Sequence, residues 1–247
     1  MKRFALIVFL LLAACASVPE QTIDKAKMAE GYFMKGLSHV QQQNYELASV
    51  EFNRSIQTDS NFKQSYYMLG VISDQRGQYD AAVDYFKEAL DRDSNYAEAY
   101  NALGVTYSRQ QKWKDALKAY KKALENKLYP TPHVVYLNIG RLYRDQKDYD
   151  KAVEAYGEAK RHANQDFIIY ELGSTLLDAG RVKEAIKEFR EGVIMSPQNA
   201  NIRLSLGIAL LKDGNKKSAM EEFRKAGELA PNSAAALQAK DYIKTLR

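Results

Sequence analysis

The sequence predicts an all-α solenoid built from six helix–turn–helix units. Three observations in one register carry that prediction. Glycines stand at Gly36, Gly70, Gly104, Gly140, Gly173 and Gly207, one about every 34 residues. Twelve residues after each glycine comes an alanine: Ala48, Ala82, Ala116, Ala152, Ala185 and Ala219. Four residues beyond each alanine comes a ring: Phe52, Phe86, Tyr120, Tyr156, Phe189 and Phe223. A repeat of that length is one supersecondary unit, which buries its apolar face by stacking on its neighbours. Chains of this kind present extended binding surfaces rather than reaction centres.

The N-terminal end stands apart from the repeat. Lys2 and Arg3 precede an apolar run from Phe4 to Leu12, followed by Ala13 and Ala14. That order is a secretory signal over residues 1–14. The run is too short to span a bilayer, which takes about 20 apolar residues. Losing Lys2 and Arg3 lowers the formal net charge from +5 to +3. Such a charge gives little to hold nucleic acid, and none is expected as a partner. The one cysteine, Cys15, follows Leu12-Ala13-Ala14 directly. This segment resembles a bacterial lipobox. The resemblance implies cleavage before Cys15, diacylglycerol on its thiol and an acyl chain on the new amine. No other cofactor is expected. More than one membrane signal anchors a protein stably. The competing reading is a stray thiol, with no second cysteine to pair with it. Ala16, rather than Asp, follows the cysteine; by the same resemblance this implies the outer membrane and its periplasmic face. The polar stretch from Ala16 to Lys27, with Pro19, reads as a tether of at most about 40 Å.

The units fall at about 29–62, 63–96, 97–130, 133–165, 166–199 and 200–232. In the third, Tyr100, Leu103, Gly104 and Tyr107 form one face of a first helix. Ala116, Leu117, Tyr120, Ala123 and Leu124 do the same for a second helix. This pattern resembles the tetratricopeptide repeat, which implies a right-handed superhelix. In that fold the repeat glycine and the first alanine are expected to face each other at the helix crossing, with the ring beside them. Turns are read at Gln43-Asn44-Tyr45, Arg76-Gly77-Gln78-Tyr79, Gln111-Lys112-Trp113 and Lys147-Asp148-Tyr149. Ser60, Asn61, Ser94 and Asn95 are expected to cap the next helices, and Pro197 and Pro231 stand at the later boundaries. Residues 233–247 read as a capping helix, with Ala235, Leu237, Ala239 and Ile243 covering the last unit.

Two departures matter. Unit one carries Ser55 where an alanine is usual. The break after unit three is two residues longer and reads Asn126-Lys127-Leu128-Tyr129-Pro130-Thr131-Pro132, which predicts an irregularity in the stacking.

No constellation for catalysis or metal binding is legible. His39, His133 and His162 lie in different units without neighbouring ligands, and His39 reads as a packing residue. The acidic pair Glu221-Glu222 reads as solvated, and an enzyme is not expected.

The resemblance to tetratricopeptide solenoids implies that the first helices line a groove. Counted from each glycine, this gives an apolar strip of Phe33, Met34, Leu37, Val40, Tyr67, Met68, Val71 and Val105, with Asn101 among them. These positions are expected to be free of the repeat's own core and to take an amphipathic helix or apolar segment. Glu30, Asp74 and Glu98 at the edge favour Lys or Arg on the partner. The other possible cover for the strip is the tether or the neighbouring unit.

A lipobox, a short tether, six repeats and Leu128-Tyr129-Pro130 before the fourth resemble the type IV pilus biogenesis lipoproteins, the pilotins of the PilF/PilW/Tgl type. The resemblance implies a monomer that binds the pilus secretin subunit, brings it to the outer membrane and promotes its multimerisation. A lipoprotein scaffold for outer-membrane protein insertion or polysaccharide export, and an adaptor that docks a hydrolase, remain as alternatives.

Overall fold

The computed structural model describes residues 20–246, and every regular element among them is a helix. In order they are α1 (Glu20–Gln41), α2 (Tyr45–Thr58), α3 (Lys63–Gln75), α4 (Tyr79–Arg92), α5 (Ala97–Arg109) and α6 (Trp113–Glu125). There follow α7 (Pro132–Asp145), α8 (Tyr149–His162), α9 (Asp166–Asp178), α10 (Val182–Met195), α11 (Ala200–Lys212), α12 (Lys216–Leu229) and α13 (Ala234–Leu246). Consecutive helices pair into six units, and each second helix also packs on the first helix of the next unit. First helices lean on one another as well, α3 on α5, α5 on α7 and α9 on α11, so they line the inner side of the stack. The fold is the repeat solenoid that the spacing predicts.

The signal, Cys15 and the start of the tether lie outside the described residues. The rest of the tether is a correction: residues 20–27 belong to α1. No Pro or Gly interrupts them, and Glu, Gln, Lys and Ala are good helix formers.

The repeat glycine has a different job from the expected one. A Cβ on Gly140 would lie 2.6 Å from the Tyr156 ring, and on Gly70 2.6 Å from the Phe86 ring. At all six repeat glycines the neighbour is the ring, not the alanine. The ring packs against the bare backbone, and all six rings are almost wholly buried. Any side chain there would displace one of the largest fully buried side chains of the core.

Each turn within a unit needs one left-handed residue. Gly77, Gly180 and Gly214 supply it at φ of 74°, 74° and 84°. Gln43, Gln111 and Lys147 adopt it at 58°, 59° and 60°, against their steric preference. Asn44, Asp148 and Asn215 then cap the following helix, accepting from the backbone N–H three residues on.

Between units, the expected Ser and Asn caps are corrected. The N-caps of α3 and α5 are Phe62 and Tyr96, without side-chain hydrogen bonds. Asp59 and Asp93 instead accept from the N–H groups of Asn61 and Asn95, both at 2.9 Å, which folds the turn one step earlier. Ser55, the odd residue of unit one, is fully buried and bonds the equally buried Ser65 hydroxyl at 2.8 Å.

At the long break, Asn126 donates to the Asn95 carbonyl at 3.0 Å, Tyr129 is buried and Leu128 stands 90% exposed. The packing of α7 on α6 is sparser than at the other junctions between units. At the C-terminal end Ala235, Ala236 and Ala239 are buried, and the Tyr242 ring stacks on Phe223 at 4.8 Å. Leu237, expected to cover the last unit, is 56% exposed. Two residues on from Ala235 the helix has turned about 200°, away from the contact.

Candidate protein-binding groove

The first helices divide into two chemically distinct stretches. In units one and two the face is built of rings. Phe33 lies 5.6 Å from Phe52 in its own unit and 5.3 Å from Phe62 at the start of the next. Tyr67 repeats the arrangement, 5.9 Å from Phe86 and 5.4 Å from Tyr96. The residues that N-cap α3 and α5 are therefore aromatic because they close this stack. Burial raises the Tyr67 hydroxyl above the ordinary tyrosine range, helped by Tyr129 and the Glu98 charge. Tyr96 is raised for the same leading reason.

This changes the predicted strip. Phe33, Leu37, Val40 and Met68 are half-buried on the cluster around Ala48, Phe52, Leu69 and Ile72. Tyr67 and Val71 pack on Ala82, Phe86 and Leu103, and Val105 packs on the cluster of unit three. Asn101 accepts a hydrogen bond from Asn138 at 3.0 Å. The expectation that the strip is spare to the core is corrected: most of it is half-buried against its own unit and the next. Met34 alone among these nine residues is exposed, at 57%. Asp74 is not free for a basic partner either. It accepts from the Thr106 hydroxyl at 2.9 Å and is paired with Arg109. Glu30 is exposed and Glu98 half-buried.

Units four and five present a second stretch. Glu171 takes both arginines of α7, Arg141 at 3.1 Å and Arg144 at 2.6 Å. On α9, Phe167, one turn before Glu171, is 43% exposed, and Tyr170, directly before it, is 38% exposed. Tyr156 is fully buried, with no hydrogen-bond partner for its hydroxyl. Burial raises its pKa, and Glu171 adds to the shift while Arg144 and Arg141 oppose it. Phe167 and Tyr170 were legible in principle: they stand six and three residues before Gly173, the same count that marks Glu30 and Phe33 in unit one.

The remaining polar groups are structural. Glu222, expected to be solvated, is largely buried and pairs with Arg203 at 2.9 Å, because Arg203 stands where earlier units carry an aromatic. His162 stacks on Tyr136 at 5.3 Å, and His39 is half-buried with Nδ1 unpaired. Among the described residues no three His, Cys, Asp or Glu side chains are grouped to hold a metal ion, and no helix is long and apolar enough to cross a membrane.

Comparison with known proteins agrees with this architecture. PilF of Pseudomonas aeruginosa aligns over 88% of this chain and 99% of its own, with a TM-score of 0.72 at 20% identity. PilW, a widely conserved type IV pilus biogenesis factor, aligns over 85% of this chain and 97% of its own, also at 0.72 and 20% identity. The human protein O-mannosyl-transferase TMTC1 is 34% identical over 74 residues. The chain spans only 8% of that protein's length, too little to carry its activity across. The tetratricopeptide repeat family profile matches residues 33–97, 67–131, 101–166 and 170–234. Those spans cover most of the sequence, and the chain belongs to the tetratricopeptide repeat family.

Proposed function

We propose that this chain is a pilotin: a lipoprotein on the periplasmic face of the bacterial outer membrane that binds the type IV pilus secretin subunit and promotes its localisation and multimerisation. The order of parts carries the reading. Cys15 sits behind Leu12-Ala13-Ala14, six units follow, and Leu128-Tyr129-Pro130 interrupts them before the fourth. The near end-to-end likeness to PilF and to PilW supports it. In this reading the acyl chains on Cys15 supply the address. The first-helix face holds an apolar segment of the secretin until ring assembly buries it. Met34 is the exposed anchor of that face.

The test is the state of the secretin in cells lacking this chain, read as heat- and detergent-resistant multimers on a gel. The expected result is loss of multimers with monomer remaining, restored by the wild type and not by Cys15→Ala. Met34→Asp, at an exposed position, is expected to leave the fold intact and to reduce multimers. Normal multimers in cells lacking the chain would overturn the reading and favour a scaffold for another envelope assembly.

A further inference from the structure

Each unit turns within itself on one edge of the stack and passes to the next unit on the opposite edge. Along that junction edge the chemistry changes halfway. The first two junctions are polar, with Asp59-Ser60-Asn61 and Asp93-Ser94-Asn95. The next three carry large apolar side chains in the open. Leu128 is 90% exposed after α6, Phe167 43% at the start of α9, and Ile194 79% and Met195 41% at the end of α10. Cations stand beside them. Lys127 adjoins Leu128, and Arg190 lies one turn before Ile194, both exposed. The acids nearest these two in sequence, Glu125 and Glu191, are held by Lys122 and Lys160. Apolar side chains set one junction apart form no continuous pocket. A folded partner needs a close-packed core to its interface, whereas a fluid bilayer takes single side chains without matching their shape.

The N-terminal helix leads to the same edge. First helices start at the junctions, and α3, α5, α7, α9 and α11 begin seven or eight residues before their glycines. Helix α1 begins sixteen residues before Gly36, so its extra nine residues run about 14 Å out past the junction edge. From Glu20 to Cys15 the chain reaches at most about 18 Å further. The chain therefore leaves the fold on the side that carries Leu128, Phe167 and Ile194. We propose that the junction edge of units three to five rests on the anionic phospholipid surface of the leaflet that holds the Cys15 acyl chains. Leu128, Phe167, Ile194 and Met195 enter the boundary between headgroups and acyl chains, and Lys127 and Arg190 meet lipid phosphates. The extended α1 holds the polar junctions of units one and two off the surface. The first-helix face, on the inner side of the stack, stays uncovered. This placement rests on the lipoprotein reading of Cys15 and not on the identity of the secretin partner.

The test uses the purified acylated chain reconstituted in vesicles of phosphatidylcholine and phosphatidylglycerol. Acylation occupies the one native thiol, so Leu128→Cys, Ile194→Cys or Gln78→Cys supplies a single site for an environment-sensitive dye. All three positions are exposed, and Gln78 lies on the opposite edge, in a turn within a unit. The dyes at 128 and 194 are expected to shift to the blue and to be quenched by brominated lipid, while the dye at 78 does neither. Lys127→Gln is expected to lower the ratio of docked to undocked chain by up to roughly fivefold at low salt. Dyes at 128 and 194 that stay as wet as the one at 78 would overturn the proposal. A blue shift that needs added secretin rather than lipid would overturn it too, and would make the edge a protein-docking face. An equal response on pure phosphatidylcholine would overturn the anionic assignment. Intact mass separates the two readings. Acylated Cys15 with wet dyes removes the edge contact and leaves the lipoprotein, whereas unacylated Cys15 removes the lipoprotein reading and the contact with it. The secretin multimer gel judges the pilotin reading independently of either.

Discussion

In units one and two the inner face is closed by rings, Phe33 against Phe62 and Tyr67 against Tyr96. In units four and five the same face is closed by an ion pair, Arg144 on Glu171, and its aromatics, Phe167 and Tyr170, are left in the open. The same repeat geometry thus uses its aromatics in opposite ways. Where an aromatic residue N-caps the next first helix, the groove ring is drawn into the stack and serves stability. After α9 the next first helix, α11, is capped by Asn199 rather than by a ring, and Phe167 and Tyr170 of α9 stay exposed. A residue at a groove position is therefore not yet a binding residue. Its neighbour one unit away decides.

The largest effect that sharpens this contrast is on stability. Tyr67→Ala is expected to cost about 2–4 kcal/mol, since it removes a ring packed between two others. Tyr170→Ala is expected to cost less than about 0.5 kcal/mol, as surface substitutions do. Chemical denaturation of the two variants checks this, and equal losses would erase the distinction between the halves. Next comes alkaline stability. Burial pushes the Tyr120 hydroxyl up to about 12 from its ordinary 10.0. A raised pKa means its contribution is present below pH 10.0 and lost as pH climbs toward 12. Tyr67, Tyr96 and Tyr156 shift the same way for the same leading cause. The melting temperature should fall across that interval, and Tyr120→Phe should shallow the fall.

The ion pair of the second half gives a smaller effect. Glu171→Ala leaves the partly buried Arg144 without its acid and is expected to cost about 1–2 kcal/mol. Arg141→Gln, half-exposed in the same pair, should cost nearly nothing. A double-mutant cycle between Arg144 and Glu171 checks the assignment. The smallest effect has the opposite sign. Gln43→Gly, Gln111→Gly and Lys147→Gly each relieve a left-handed backbone and should stabilise by about 0.5–1 kcal/mol. The same change at Gln42, which lies outside the left-handed region, should destabilise or do nothing.

Much of this protein was legible in its sequence, and the errors share one origin. The unit itself was legible because glycine, alanine and ring are read within one helical hairpin, where fixed spacing means fixed contact. Even the misassigned partner of the glycine, ring rather than alanine, leaves that hairpin unchanged. The capping serines and asparagines were misread because Phe62 and Tyr96 are held by rings in the unit before them, which a local cap rule does not see. Leu237 was misplaced because one helix has no repeat to calibrate its face.

The sequence alone determined the fold class, the number of units and the lipobox expectation for Cys15, since each depends on residues within a few turns of one another. Only the tertiary structure decided which groove residues are free. Phe33 is covered by Phe62, 29 residues on, and Asp74 is claimed by Arg109, 35 residues on. Tyr156 is orphaned because Arg144 turns to Glu171, 27 residues beyond it. Exposure and hydrogen-bond satisfaction are properties of stacked units. They are set by contacts about one repeat apart, across which spacing ranks positions but not their competing partners.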